Sequence, residues 1–189
     1  MNRRKLFSSL AIAAILARVA SRHANAGEAD IEPEISLLAD IPDNQAFVTF
    51  ISPAGFAVMV PEGWARHDGG RETAFSDKYN RVALSVESAS QPFDLAYAMS
   101  TLAPEIEKMG KAVHITEIAE IKMRPGRTVK IAYDANSEPN EVTNRRVRQE
   151  NERFYFVRDD RLVTLNLTTP KGADNVDQWR LISSSFQWM

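Results

Sequence analysis

Few side chains in this sequence could perform chemistry, and they are not spaced as catalytic or metal sites require. Beyond the first 26 residues the histidines are His67 and His114. A metal site would need both histidines to lie close to a carboxylate, such as that of Asp68 or Glu117. Neither histidine has a partner at the helical i, i+4 spacing of a metalloprotease motif. The serines at 183–185 lack a nucleophile elbow and triad partners. We therefore expect no enzyme, and neither a metal nor another cofactor. An enzyme would need a cleft that shifts the pKa of a carboxyl or histidine.

The amino-acid composition excludes several kinds of chemistry and several classes of binding partner. The chain contains no cysteine, which excludes disulfides, thiolate metal sites and thiol catalysis. It has 23 basic and 25 acidic residues, and five of the basic ones lie within residues 1–26. The remainder carries 18 − 25 = −7 charges. An acidic protein is poorly suited to nucleic acid or anionic lipid, so we expect a protein partner and no nucleic acid.

One charge pattern suggests a binding surface. Eight cations fall in strands that we expect to be neighbours: Lys122, Arg124, Arg127, Lys130, Arg145, Arg146, Arg148 and Arg153. The candidate binding face comprises six of them: Lys122, Arg124, Arg127, Arg145, Arg146 and Arg148. If strand alternation points them to one side, they form a basic face on an otherwise acidic protein. Such a face could bind a carboxylate-rich partner, or dock the chain's own acidic residues between 28 and 43. The plain alternative is a solvated sheet edge that its charges protect from aggregation.

Residues 1–26 have the anatomy of a cleavable export signal. Arg3 and Arg4 precede an apolar run, and Ala24 and Ala26 flank Asn25 as a small-residue cleavage site. The two arginines resemble a twin-arginine (Tat) leader, and an ordinary Sec signal is the alternative. The apolar run spans about ten residues, whereas a membrane-spanning helix needs about twenty. We therefore expect a periplasmic or otherwise exported protein with no stable transmembrane anchor after cleavage.

The rest of the chain divides into an arm and one domain. Residues 27–45 contain six acidic residues and no basic one and form the predicted arm, and residues 46–189 form the predicted domain. Apolar runs with period two predict strands. The predicted strands are residues 47–51, 56–60, 73–76, 82–86, 115–123, 127–133, 145–158 and 162–167. The first two are predicted to form a hairpin about the turn at residues 52–55, and the next two to pair about the turn at residues 77–80.

Two helices are predicted, one in the middle of the domain and one near its end. Asp94 is placed to cap the first, and Pro104 within it predicts a kink or two short helices. Asp174 or Asn175 is placed to cap the last, which carries Val176, Trp179 and Ile182. The apolar stripe predicted for the first helix is Leu95, Met99, Leu102, Ile106 and Met109.

This order of elements is typical of an α+β domain in which helices pack on a central antiparallel β-sheet. The sequence also resembles the PsbP-like and Mog-type superfamily. The resemblance lies in GFAVMVPEGW at residues 55–64, TAFSD at 73–77, FYFV at 154–157 with RLVTL at 161–165, and WRLISSSF at 179–186. It implies an antiparallel sheet between helices, no established catalytic centre, and a role as a binding or assembly subunit. The superfamily's metal ligands and Ran-contacting residues have no match here.

The functional hypothesis is an exported, non-enzymatic binding or assembly factor that acts through protein–protein contacts in the cell envelope. The alternative is a carrier or sensor of a small molecule or lipid. It would use an apolar pocket between sheet and helix, lined by Phe56, Met99, Leu102 and Phe154.

Overall fold

The computed structural model describes residues 28–33, 39–90 and 92–189. The predicted export signal, with Arg3, Arg4, Ala24 and Ala26, lies outside the described residues. The strands are β1 Phe47–Ser52, β2 Phe56–Pro61, β3 Ala65–Gly69, β4 Glu72–Ser76, β5 Arg81–Ser88, β6 Lys111–Met123, β7 Gly126–Asn136, β8 Arg148–Arg158, β9 Arg161–Pro170 and β10 Gln187–Trp188. The helices are α1 Leu95–Tyr97, a π-helical turn Ala98–Leu102, α2 Ala103–Met109 and α3 Val176–Ser185.

The strands form two antiparallel sheets. The larger has seven strands in the order β3-β4-β5-β9-β8-β7-β6, and the smaller has three in the order β1-β2-β10. Helices α1 and α2 cover one face of the large sheet, and α3 packs with the small sheet against the other face. The predicted α+β class, with helices on an antiparallel sheet, is confirmed.

The core beneath α3 combines aliphatic side chains with a cluster of aromatic rings. The rings of Phe156 and Phe186 stack with centroids 3.9 Å apart, and Phe56 stacks on Phe186 at 5.4 Å. Phe186 is the residue directly after α3, so this cluster joins the end of the chain to both sheets. Burying several aromatic side chains supplies the main hydrophobic stabilisation of a domain without disulfides.

The helical segment differs from its predicted stripe. Asp94 caps it by accepting from the Tyr97 backbone N–H at 2.8 Å, as predicted. Leu102 is buried, but Met99 is 61 % and Met109 74 % exposed. The Ala103 N–H bonds to the carbonyl of Ala98, five residues back, which widens the helix just before a proline that cannot donate. The extra residue in this turn rotates the helix face that packs on the sheet. Ala98 and Ala103 are buried there instead of the predicted Met99 and Met109.

A β-bulge inverts the alternation of β6. Ile115 pairs with Tyr133 and Glu117 with Ala132, so Thr116 is the extra residue. Ile115 consequently packs on the helix-covered side, whereas Ile121 packs on the opposite side.

Among the described residues, no helix has the length and the apolar sequence required to cross a bilayer.

Candidate functional site

The six predicted cations lie in two groups at opposite ends of the β6–β7 hairpin. Lys122 pairs with Arg127 beside the turn, whereas Arg148 pairs with Asn136 at the far end. Nine residues of β7 separate the two positions, which is about 30 Å of extended strand. Strand alternation also places Arg127 and Asn136 on opposite faces of the sheet. The six cations therefore do not form one continuous face.

The first group, Arg145, Arg146 and Arg148, is the arm cluster. Arg146 forms an ion pair with Glu28, and a guanidinium nitrogen of Arg148 lies 3.4 Å from a carboxylate oxygen of Asp30. Arg145 lies in the loop before β8, where its carbonyl accepts from the Asn140 N–H. The chain's own acidic arm thus docks on this end of the hairpin.

Asn136 organises that docking. Its side-chain N–H₂ donates to Glu28 at 3.0 Å and to the Ala29 carbonyl at 2.9 Å, and its amide oxygen accepts from the Ile31 N–H at 3.2 Å. Asn136 first, and Arg146 second, lower the pKa of Glu28 by hydrogen bonding to its carboxylate. These bonds fix the backbone of the arm as well as its charges.

Arg148 is part of the protein interior. It is only 4 % exposed, and its Nη1 donates to the Ala112 carbonyl at 2.6 Å and to the Asn136 amide oxygen at 3.1 Å. A buried guanidinium requires such partners, since an unpaired one would be costly. Arg148 consequently acts in folding at this end of the sheet.

The second group, Lys122, Arg124 and Arg127, is the tip cluster. All three side chains are exposed at the β6–β7 turn. Arg127 lies 3.1 Å from Glu120 in an ion pair, yet its side chain remains 84 % exposed. Among the described strands, β6 is also an edge of the seven-stranded sheet, with backbone groups available for pairing. The tip cluster therefore extends an open sheet edge.

The histidines are far apart. His67 lies on β3 and His114 on β6, the two opposite edge strands of the large sheet. Within the described part of the chain, no group of three or more histidine and acidic side chains is arranged to hold a metal ion.

The four residues predicted to line an apolar pocket do not share one. Phe56 and Phe154 belong to the core beneath α3, while Leu102 packs on the opposite face of the sheet and Met99 points largely to solvent. The prediction failed because adjacent strand residues face opposite sides, and because the π-helical turn rotates Met99 outward.

A groove that these predictions missed lies beside α1 and α2 and has a volume of about 340 Å³. Its floor contains Arg153 and Tyr155 of β8 with Thr164 and Asn166 of β9. Arg153 was noticed only as one cation among several. Its i, i+2 spacing from Tyr155 was the available signal, because that spacing places both side chains on one face.

Comparison with known proteins identifies the fold. No protein-family model matches the chain, and no curated protein does. Cyanobacterial PsbP (CyanoP) from Synechocystis sp. PCC 6803 is similar in structure, with a TM-score of 0.56 and 12 % identity, over 82 % of this chain and 100 % of that one. The Ran-binding protein Mog1p of Saccharomyces cerevisiae has a TM-score of 0.53 and 7 % identity, over 77 % and 96 %. The predicted PsbP-like and Mog-like sandwich is confirmed as the fold of this chain.

Proposed function

We propose that this protein is an exported, non-enzymatic binding or assembly factor whose tip cluster contacts an acidic protein in the cell envelope. The observation that carries the proposal is the exposure of Lys122, Arg124 and Arg127 together at one end of an open sheet edge. The same scaffold occurs in a protein described as Ran-binding, so it is compatible with protein binding.

The contrast with the arm cluster supports the choice of surface. Arg146 and Arg148 already have the carboxylates of Glu28 and Asp30 as partners within the chain. Within the described ranges, the tip cluster has one carboxylate partner, that of Glu120, which pairs with Arg127. Exposed cations on an acidic protein attract complementary surfaces and accelerate association, and arginine pairs with carboxylates through two parallel hydrogen bonds.

The test is crosslinked capture from an envelope extract. A triple variant, Lys122→Glu, Arg124→Glu and Arg127→Glu, should lose a discrete acidic protein that the parent captures. The control is Arg71→Glu, Lys78→Glu and Arg180→Glu, which makes the same charge change at exposed positions elsewhere. Capture by both triple variants, or loss from both, would contradict a specific role for the tip cluster.

Export rests on the sequence pattern of residues 1–26 and has its own test. Replacing Arg3 and Arg4 with lysine in the full chain should leave an unprocessed precursor inside the cell if the Tat pathway is used. Normal processing of that variant would contradict the Tat route. An additional break in the apolar run that also leaves processing unchanged would contradict export altogether.

A further inference from the structure

The missed groove contains a cation that lacks an anionic partner. Among the described residues, Arg153 forms hydrogen bonds but no ion pair with a carboxylate. Its Nη2 donates to the Tyr133 hydroxyl at 3.2 Å, and its Nε donates to the Asn166 amide oxygen at 3.4 Å. The guanidinium also hydrogen-bonds to Tyr155. Because a guanidinium has five N–H donors, these three partners leave part of the fork available to a ligand.

The surroundings of Arg153 are built to hold it in place. The Asn166 side-chain N–H₂ donates to Thr168 Oγ1 at 3.0 Å, and that hydroxyl donates to Asn151 at 2.7 Å. These bonds direct the Asn166 oxygen toward Arg153. Burial raises the pKa of Tyr155, and the adjacent guanidinium of Arg153 lowers it in part. The guanidinium is therefore positioned at the floor by β7, β8 and β9.

The lining of the groove is polar over most of its surface, but aromatic and apolar side chains form one side of it. The rings of Phe93 and Tyr155 stack with centroids 6.1 Å apart, and Phe93 meets Tyr97 edge-on at 5.2 Å. Leu102 and Leu162 line the groove from the helix and from β9. A charged donor beside such a wall matches a ligand with one anionic end and an apolar body.

The rim limits the charge of that ligand. Arg81 is paired with Glu72, while Glu87 and Glu105 lie exposed at the mouth of the groove. Their carboxylates disfavour an anion with two charges, since like charges in proximity repel.

We propose that this groove binds an organic monocarboxylate, whose carboxylate accepts from Arg153 and whose apolar body lies against Phe93, Tyr97 and Tyr155. The groove contains none of the residues of the tip cluster, and this site does not depend on the proposed protein partner. Of the four residues predicted from the sequence to line a small-molecule pocket, Leu102 lines this groove, whereas Phe56, Met99 and Phe154 do not.

The first test needs no mutation. Isothermal titration of the purified protein with 4-phenylbutyrate should give binding at least about tenfold tighter than with the neutral 4-phenylbutanamide, because a charge-assisted hydrogen bond is lost in the amide. Inorganic phosphate should bind more weakly than the carboxylate. Equal affinity for acid and amide, tighter binding of phosphate, or no binding of 4-phenylbutyrate would overturn the proposal.

Variants then locate the site. Arg153→Gln should weaken 4-phenylbutyrate about tenfold or more, while the exposed control Arg180→Gln should bind as the parent does. If Arg153→Gln does not fold, Thr164→Phe provides the alternative, since a phenyl ring on the floor fills the groove and leaves Arg153 intact. Parent-like affinity in a folded Arg153→Gln or Thr164→Phe protein would place binding elsewhere and overturn the assignment.

Discussion

The two ends of the β6–β7 hairpin carry the same kinds of side chain under different conditions. At the arm end, Arg146 and Arg148 meet acids supplied by the chain, and Arg148 is enclosed by protein. At the tip, Lys122 and Arg124 remain exposed. The difference teaches that cations close in sequence serve folding where the chain brings its own carboxylates to them. At the tip, the described residues supply the carboxylate of Glu120 to Arg127, and the exposed cations there form the surface that we propose to bind a partner.

The largest effect should come from the buried end. Arg148→Ala should lower the free energy of unfolding by about 3 kcal/mol, because the Ala112 carbonyl and the Asn136 amide lose a buried partner. The matched change at the tip, Arg127→Ala, should cost no more than about 0.5 kcal/mol, as expected for an exposed pair. Urea denaturation measures both. Equal losses of unfolding free energy in Arg148→Ala and Arg127→Ala would contradict the proposed difference between the two ends of the hairpin.

A smaller effect should follow from releasing the arm. Asn136→Ala removes the bonds to Glu28, Ala29 and Ile31, together with one of the two acceptors of Arg148 Nη1, and should cost about 1–2 kcal/mol. Amide exchange at Ile31 should become faster in the same variant. The exposed Asn44→Ala is the control and should change neither quantity. Protection of Ile31 that survives in Asn136→Ala would show that the arm is held by other contacts.

The smallest effect is the response of the arm to pH. Because the folded state lowers the pKa of Glu28 below its ordinary value of 4.5, the contact contributes fully above that value. Its contribution is lost as the pH falls through the lowered folded pKa. The difference in unfolding free energy between the parent and Glu28→Gln should therefore be largest near neutral pH and vanish in acid. A difference that persists at low pH would assign the effect to something other than the carboxylate.

The sequence predicted the elements that depend on local pattern. The hairpin of β1 and β2, the pairing of β4 with β5 and the cap at Asp94 are all confirmed. Alternation and capping are local properties, so a single sequence contains them. The short edge strand β3 was missed because all its residues are exposed and it has no apolar alternation.

The features that the sequence did not predict depend on single inserted residues and on contacts between residues far apart in the chain. The bulge at Thr116 and the π-helical turn before Pro104 each shift which residues face the core, and neither changes composition. The contact of Asn136 with Glu28 joins residues 108 positions apart. The floor of the groove likewise combines β8 with β9, so its assembly required knowledge of strand pairing.

Residue-resolved modification of arginines, with and without the envelope extract, tests the central claim most directly. In the protein alone, phenylglyoxal should modify Arg124 and Arg127 readily and Arg148 poorly. In the extract, Arg124 and Arg127 should become protected, while the exposed Arg71 and Arg180 stay reactive. Unchanged reactivity at the tip, or protection only at Arg71 or Arg180, would contradict the account.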